Sequence, residues 1–492
     1  MPLEHFDVVI VGAGLSGIGA GCHLKARCPD RTYAVLENRE RLGGTWDLFR
    51  YPGIRSDSDM YTLGYVFKPW TDAKAIADGP AILDYVAEAA RENGVDSHIC
   101  FQTRVTRASW SSATATWTVE AERGPTREPI VYTCNFLLMC AGYYRYEAGY
   151  SPDFPGRELF QGHIAHPQFW TDDIAYAGKQ VVVIGSGATA VTLVPAMAKT
   201  AAHVTMLQRS PTYVVARPAN DEIADKLRQR LPMKLAYAIT RWKNVLRGMY
   251  FYGFSRRRPA RVKAMILGGV RLWLGADYDV AKHFTPRYDP WDQRLCLAPD
   301  GDFFKAIADK SASVVTDEIE TFTETGVKLR SGEEIAADLI VTATGLELQP
   351  LGNLAFTVDG ARVDVAKLMT YKGMMYAGLP NLASVFGYTN ASWTLKSDLT
   401  CAYVCRLLNH MRAKSYRVCM PRLTDPSVKA EPWVDFSSGY FQRAIARFPK
   451  QGSRAPWRLY QNYVKDLLML RFGALRDGAL EFGGAEPPTL VQ

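Results

Sequence analysis

Cysteine pairs and linkers are what this chain does without. Its 492 residues include nine cysteines, none in a CxxC pair; Cys401 and Cys405 stand one helical turn apart instead. Disulfide frameworks belong to small secreted domains, so scattered thiols in a chain this long imply a reduced, cytoplasmic setting. The opening residues show no cationic start followed by an apolar run, and no leader peptide is expected. No low-complexity segment divides the chain, which argues for interleaved domains rather than domains in series. Charged residues are 22% against 48% hydrophobic, the balance of an ordinary globular protein. One charge-free run, Gln180 to Ala198, approaches the length of a membrane span. It holds Gly185, Gly187, Pro195 and a strand-to-helix break, residues that a nucleotide-binding turn explains and a span does not.

The net charge of +8 is unevenly placed, because residues 221–275 hold thirteen Lys or Arg and only three Asp or Glu. No recognition module for nucleic acid accompanies that stripe, so nucleic acid is excluded as a partner. Trp242, Val245, Leu246, Met249 and Tyr250 recur there at helical spacing around Lys243 and Arg247. Two readings stand: a helical insert whose apolar face packs on the core, or a basic amphipathic surface making peripheral contact with anionic membrane lipid.

What is present is one device twice. The first copy runs from Asp7 through an apolar strand to Gly12-Ala-Gly14-Leu-Ser-Gly17, with Glu37 twenty residues beyond. The second runs from Lys179 to Gly185-Ser186-Gly187-Ala188-Thr189-Ala190, with Gln208-Arg209 in the matching place. Each glycine set follows a strand and opens a helix, so backbone N–H groups can approach a pyrophosphate at the helix N-terminus. An acid at the end of the second strand accepts hydrogen bonds from a ribose diol, whereas an arginine there suits a 2′-phosphate. The contrast between Glu37 and Arg209 therefore assigns FAD to the first site and NADPH to the second, and the pairing points to redox chemistry. The fold class expected is α/β, with two interleaved Rossmann-like dinucleotide-binding domains and a helical insert. Residues 1–145 and 336–492 would form the FAD domain, 146–215 and 285–335 the NADP domain, and 216–284 the basic insert. The apolar strand Asp338 to Gly345 is expected to return the chain to the first domain.

Between the motifs lies Gly43-Gly-Thr45-Trp46-Asp47, continuing through Arg50-Tyr51-Pro52-Gly53 to Arg55-Ser56-Asp57. A Gly-Gly pair lets backbone come close to a flat cofactor, and Pro-Gly sets a tight turn. Asp57 would then stand near a flavin ring as a fixed negative charge. This segment resembles the GGxWxxxxYPGxxxD signature of class B flavoprotein monooxygenases. Phe160, Gly162, His166 and Trp170 resemble the FxGxxxHxxxW fingerprint of Baeyer–Villiger monooxygenases, with Thr171 where the family usually has Pro or Asp. Further segments, from Arg50–Leu63 to Lys450–Arg458, extend the resemblance over nearly the whole chain.

The resemblance implies an FAD enzyme that uses NADPH and dioxygen to turn ketones into esters or lactones through a flavin peroxide, and also to oxygenate sulfides or thioamides. It implies catalytic roles for Arg294, six residues after Tyr288, and for Asp57. It places Ser16, Glu37, Thr45, Trp46, Asp47, Asp57 and Val105 at FAD. Arg55, Ser56, Gly185 to Ala190, Arg209 and Ser210 fall at NADP. It makes His166 a linker histidine coupling domain motion rather than a general base. The family's lysine before the active-site arginine is Gln293 here, so Arg209 and Ser210 carry more of the phosphate recognition. No metal site is expected. Asn390, Trp393 and Lys396 border the site without assigned roles. Rival readings are an N-hydroxylating or S-oxygenating flavin monooxygenase without ketone activity, and a non-catalytic redox-sensing flavoprotein. A disulfide reductase is excluded because Cys22 and Cys28 lie on and just after the first helix, not as a redox pair beside the flavin.

Overall fold

The computed structural model describes residues 3–434 and 436–484, so the parts of the expected FAD domain at 1–2, 435 and 485–492 lie outside the described residues. Strand Leu3–Val11 passes through Gly12 into helix Leu15–Arg27, and strand Tyr33–Leu36 returns parallel to it with Val8 opposite Tyr33. Val8, Val9 and Ile10 are wholly buried. A continuous apolar run is what a parallel strand covered on both faces requires.

The long strand Glu128–Met139 joins two kinds of sheet. On one side it runs parallel to Leu3–Val11. On the other its first half is antiparallel to Thr116–Arg123, and its last three residues are parallel to Leu382–Ser384. Its burial changes with its neighbours, alternating through the antiparallel half and becoming continuous from Phe136.

A second sheet is wholly parallel, in the order Ala312–Thr316, His203–Gln208, Gln180–Ile184, Leu339–Thr342, His163–Ala165. Here the sequence expectation fails in one respect. Leu339–Thr342 does not return the chain to the first unit but lies inside the second sheet, between Gln180–Ile184 and His163–Ala165, with Leu339 opposite both Val181 and His163. Its all-apolar run satisfies two parallel neighbours equally well in either sheet. The crossing back comes one step later. Leu346–Leu348 pairs antiparallel with Tyr144–Gly149, the segment that left the first sheet, so two strands side by side join the units.

The insert leaves after strand Val214–Arg217 and returns before Cys296–Pro299, which pairs with it in parallel. Between them run helices Glu222–Arg230, Met233–Arg257, Pro259–Leu274 and Val280–Phe284. The longest is bolted to the first unit by Arg241, which is 5% exposed. Its guanidinium donates to the Tyr61 and Gly64 carbonyls at 2.8 and 2.7 Å and meets Asp398 Oδ2 at 3.3 Å. Asp398 also pairs with His23 Nε2 at 3.1 Å and accepts from the Val66 N–H at 2.9 Å, so the buried charge is fully engaged. Val245 is buried and Met249 half-buried, as the packing reading requires, but Trp242, Leu246 and Tyr250 face solvent. No helix among the described residues is long and apolar enough to cross a membrane, Gln180–Ala198 included.

Candidate active site between the two glycine loops

Gly12 has φ +102°, and a Cβ there would stand 2.7 Å from the Cys140 carbonyl oxygen. Only glycine lets the strand turn while the neighbouring strand end stays close. Gly17 serves helix packing instead, because its Cβ would stand 1.8 Å from Gly12 O. The Gly43-Gly44 pair closes over this loop: Gly43 N donates to Ala13 O at 2.9 Å, and a Cβ on Gly44 would lie 2.9 Å from Gly14 Cα. The Glu37 carboxylate, 5% exposed, accepts from the Ala13 and Arg39 N–H groups at 2.6 and 2.9 Å. Burial raises its pKa, and those two donors work against the rise. Ser16 Oγ accepts from Trp393 Nε1 at 2.7 Å, tying the first helix to the start of helix Trp393–Ala413.

The second loop repeats the turn. Gly185 has φ +136°, and a Cβ there would lie 2.3 Å from Ala343 O. Gly187, the N-cap of helix Ala188–Met197, has open space where its Cβ would be. Ser186 Oγ donates to Ser210 O at 3.0 Å, holding the loop to the segment after Arg209.

Both loops open onto one cavity of about 1580 Å³. On the first side it is lined by Gly12, Gly14, Ser16, Glu37, Thr45, Trp46, Asp57 and Val105. On the second it is lined by Arg55, Ser56, Gly185, Ser186, Gly187, Ala188, Thr189, Arg209 and Ser210, with Gln293 and Arg294 also on the wall. Gly17, Asp47 and Ala190 lie behind it. Asp47 is turned to Arg39 and Arg50 at 2.5 and 2.9 Å, and Ala190 is buried in its helix. Arg55 is engaged by Asp302.

Arg294 Nε meets Asp57 Oδ2 at 3.0 Å, each side chain about one-third open to the cavity. The Asp57 charge raises the Arg294 pKa; burial opposes it, and the phenols of Tyr440, Tyr143 and Tyr144 add to the rise. The cation is therefore permanent and faces an aromatic wall, in which the Tyr143 and Tyr144 hydroxyls stand 3.2 Å apart. Burial pushes the Tyr440 phenol above its ordinary value, keeping it a neutral hydrogen-bond donor.

His166 does not line the cavity. It caps the short turn Pro167–Phe169 through Nδ1, which accepts from the Gln168 N–H at 3.2 Å, and it packs so closely on Gly149 that a Cβ there would meet its Cε1 at 2.1 Å. Gln168 Nε2 in turn donates to the Arg145 and Tyr146 carbonyls at 2.8 and 3.0 Å. The fingerprint histidine thus sits on the two-stranded crossing between the units. Residues that the sequence did not single out are Tyr143, Tyr144, Tyr146, Tyr440 and Arg443 on the cavity wall. A signal for the first three existed: they follow directly on Cys140-Ala-Gly142, the C-terminal end of a central strand, where ligands of open α/β sheets gather.

Residues 72–242 match the family model for flavin-binding monooxygenase-like proteins, and residues 10–72 that for an NAD(P)-binding Rossmann-like domain. The chain is 53% identical over 489 residues to the FAD-containing monooxygenase EthA of Mycobacterium tuberculosis, covering 99% of this chain and 100% of that one. It is 46% identical over 481 residues to the probable FAD-binding monooxygenase AlmA of Acinetobacter baylyi, covering 97% and 96%. Among solved structures, a steroid monooxygenase bound to NADP superposes with TM-score 0.76 at 22% identity, covering 98% of this chain and 100% of that one. An open form of cyclohexanone monooxygenase superposes at 0.75 and 20% identity with the same coverage.

Proposed function

Because the chain belongs to the family of FAD-containing monooxygenases, we propose that it is an NADPH- and dioxygen-dependent Baeyer–Villiger enzyme. It would convert ketones to esters or lactones and also place oxygen on sulfide or thioamide sulfur. The cofactors fit the residues present. Gly12 and Gly44 hold the backbone in close turns that a Cβ would break, Gly14 lines the cavity beside them, and Gly187 leaves free space at a helix N-terminus. Glu37 would hold the FAD ribose, and Arg209 with Ser210 the 2′-phosphate of NADPH. When bound, these groups supply hydride transfer and dioxygen activation, which is their own chemistry.

The chain supplies the rest. The observation that carries the reading is the Arg294–Asp57 pair, 3.0 Å apart on the wall that both loops share. Arg294 presents a fixed cation to the negative charge that develops on a ketone oxygen under attack, and Asp57 orients it by a charge-assisted hydrogen bond. Tyr143, Tyr144 and Trp393 line that end of the cavity with aromatic surface, and bound cofactors and ketone would displace water from it, so the charge would act in a medium where it counts for more. A redox sensor has no need of a permanent cation on the wall that both loops share.

Arg294→Ala is expected to bind FAD normally and to lose ester formation on a panel of ketones and sulfides, with products scored rather than NADPH loss. Ordinary ketone oxygenation by that variant refutes the role. Sulfur oxygenation without any ester from the native enzyme favours the S-oxygenating alternative.

A further inference from the structure

The long insert helix Met233–Arg257 has two apolar faces, and only one of them is used. Ala236, Tyr237, Thr240, Arg241 and Val245 are buried against the first unit. On the opposite side Leu235, Ile239, Trp242, Leu246 and Tyr250 recur at spacings of four and three residues, exposed by 49, 41, 41, 54 and 75%. At 1.5 Å per residue that stripe is about 22 Å long. No acidic residue occurs between 233 and 257. Of the cations there, Arg241 is buried and Lys243 is held by Asp221 at 2.6 Å, while Lys234, Arg247 and Arg257 are exposed beside the stripe. The Trp242 ring meets Tyr463, 5.6 Å between centroids, and the helical segment from Tyr463 onward adds exposed Leu468 and Phe472.

We propose that this face seats on the surface of an anionic phospholipid membrane, with the helix lying in the headgroup plane. An apolar stripe flanked by cations is the form of an interfacial helix. Trp242 and Tyr250 are the residue types that settle at headgroup depth. The charge selects the occupant. Two copies of this acid-free helix, each presenting Lys234, Arg247 and Arg257 beside the stripe, would repel one another across a twofold contact, whereas anionic lipid complements them. The helix is not long and apolar enough to cross the bilayer, so it lies on the surface. Its inner face, through Val245 and Met249, packs on Tyr388, which lines the cavity. A seated helix would put the cavity wall one helix thickness, about 10 Å, from the lipid, where apolar substrates gather. That consequence for supply rests on the monooxygenase reading, but the docking itself does not.

Flotation of the full-length protein with vesicles tests the docking without NADPH or substrate, so its outcome is independent of the catalytic assays. The protein is expected to rise with vesicles containing phosphatidylglycerol, less at high salt, and not with phosphatidylcholine alone. Leu246→Ser should lower the partition about tenfold, the loss of one apolar side chain from the lipid. Arg247→Gln and Arg257→Gln should each lower it about fivefold. Unchanged flavin content and thermal midpoint would show that these variants fold. Equal binding to both vesicle types, or binding that ignores the substitutions, overturns the proposal. So does a dimer that Leu246→Ser dissolves in a protein that leaves anionic vesicles untouched.

Discussion

Gly185 and Gly187 stand two residues apart in one loop, and replacing each with alanine should do opposite things. At Gly185 the backbone has φ +136° and a new Cβ would lie 2.3 Å from Ala343 O, a backbone atom of the neighbouring strand that cannot swing aside. Strain and clash together cost about 3 kcal/mol or more. In a chain of 492 residues that lowers the thermal midpoint by about 3 °C. At Gly187 the backbone is extended, φ −76° and ψ −177°, and nothing lies within 4 Å of the new Cβ. Gly187→Ala should therefore melt within about 1 °C of the native protein, an N-cap change of a few tenths of a kcal/mol. Its methyl group would instead occupy the space a pyrophosphate needs, so KM for NADPH should rise at least about tenfold. KM for NADH should rise by a similar factor, because both carry the same pyrophosphate. The assay is steady-state product formation with each coenzyme beside a melting curve. An unchanged KM in a folded Gly187→Ala protein refutes the assignment of this loop to the nucleotide.

Arg209→Ala should separate the two coenzymes. KM for NADPH rises about 10- to 100-fold, as expected for losing a charge-assisted phosphate contact, while that for NADH barely moves; equal effects refute the 2′-phosphate role. Asp57→Asn keeps the shape of the Arg294 site and removes the charge 3.0 Å away. With both groups about one-third open to solvent, that is worth about 1–2 kcal/mol, so ester formation should fall about 5- to 30-fold. Adding Asp57→Asn to Arg294→Ala should change nothing further, and additive losses would mean that Asp57 acts independently. For pH dependence, burial alone would raise the Asp221 carboxyl, but the hydrogen bonds and charge of Lys243 with the Ala224 N–H outweigh it and hold the carboxyl below its ordinary 3.8. Its stabilising effect is present above that ordinary value and lost as pH falls through the lower folded value. Asp221→Asn should cost about 1 kcal/mol near neutrality and nothing in strong acid, and a pH-independent cost in urea melts would refute the pairing.

Some of this molecule is written locally and some is not. The glycine loops were legible because their requirement is met residue by residue: positive φ at Gly12 and Gly185, and empty space at Gly187. The places of Glu37 and Arg209, directly after their second strands and on the cavity wall, were legible for the same reason, since a βαβ unit places the end of its second strand at a set distance from its glycines. The strand at 339–342 was legible as a buried parallel strand but not as a member of either sheet, because an apolar run states that both faces are covered and not by what.

The periodicity of Met233–Arg257 announced an amphipathic helix without saying which of its two apolar faces meets the protein. That was decided by Arg241, whose guanidinium needs the Tyr61 and Gly64 carbonyls and Asp398, groups from two distant segments. The meeting of Asp57 with Arg294, and of both with Tyr143, Tyr144 and Tyr440, likewise exists only once both units and the closing segment are packed. Sequence alone determined the two glycine loops, because backbone conformation is a property of the residue and its immediate neighbours. The charged and aromatic site between them was decided by tertiary structure, because its members are far apart along the chain and only burial of the two cores brings them within hydrogen-bonding reach.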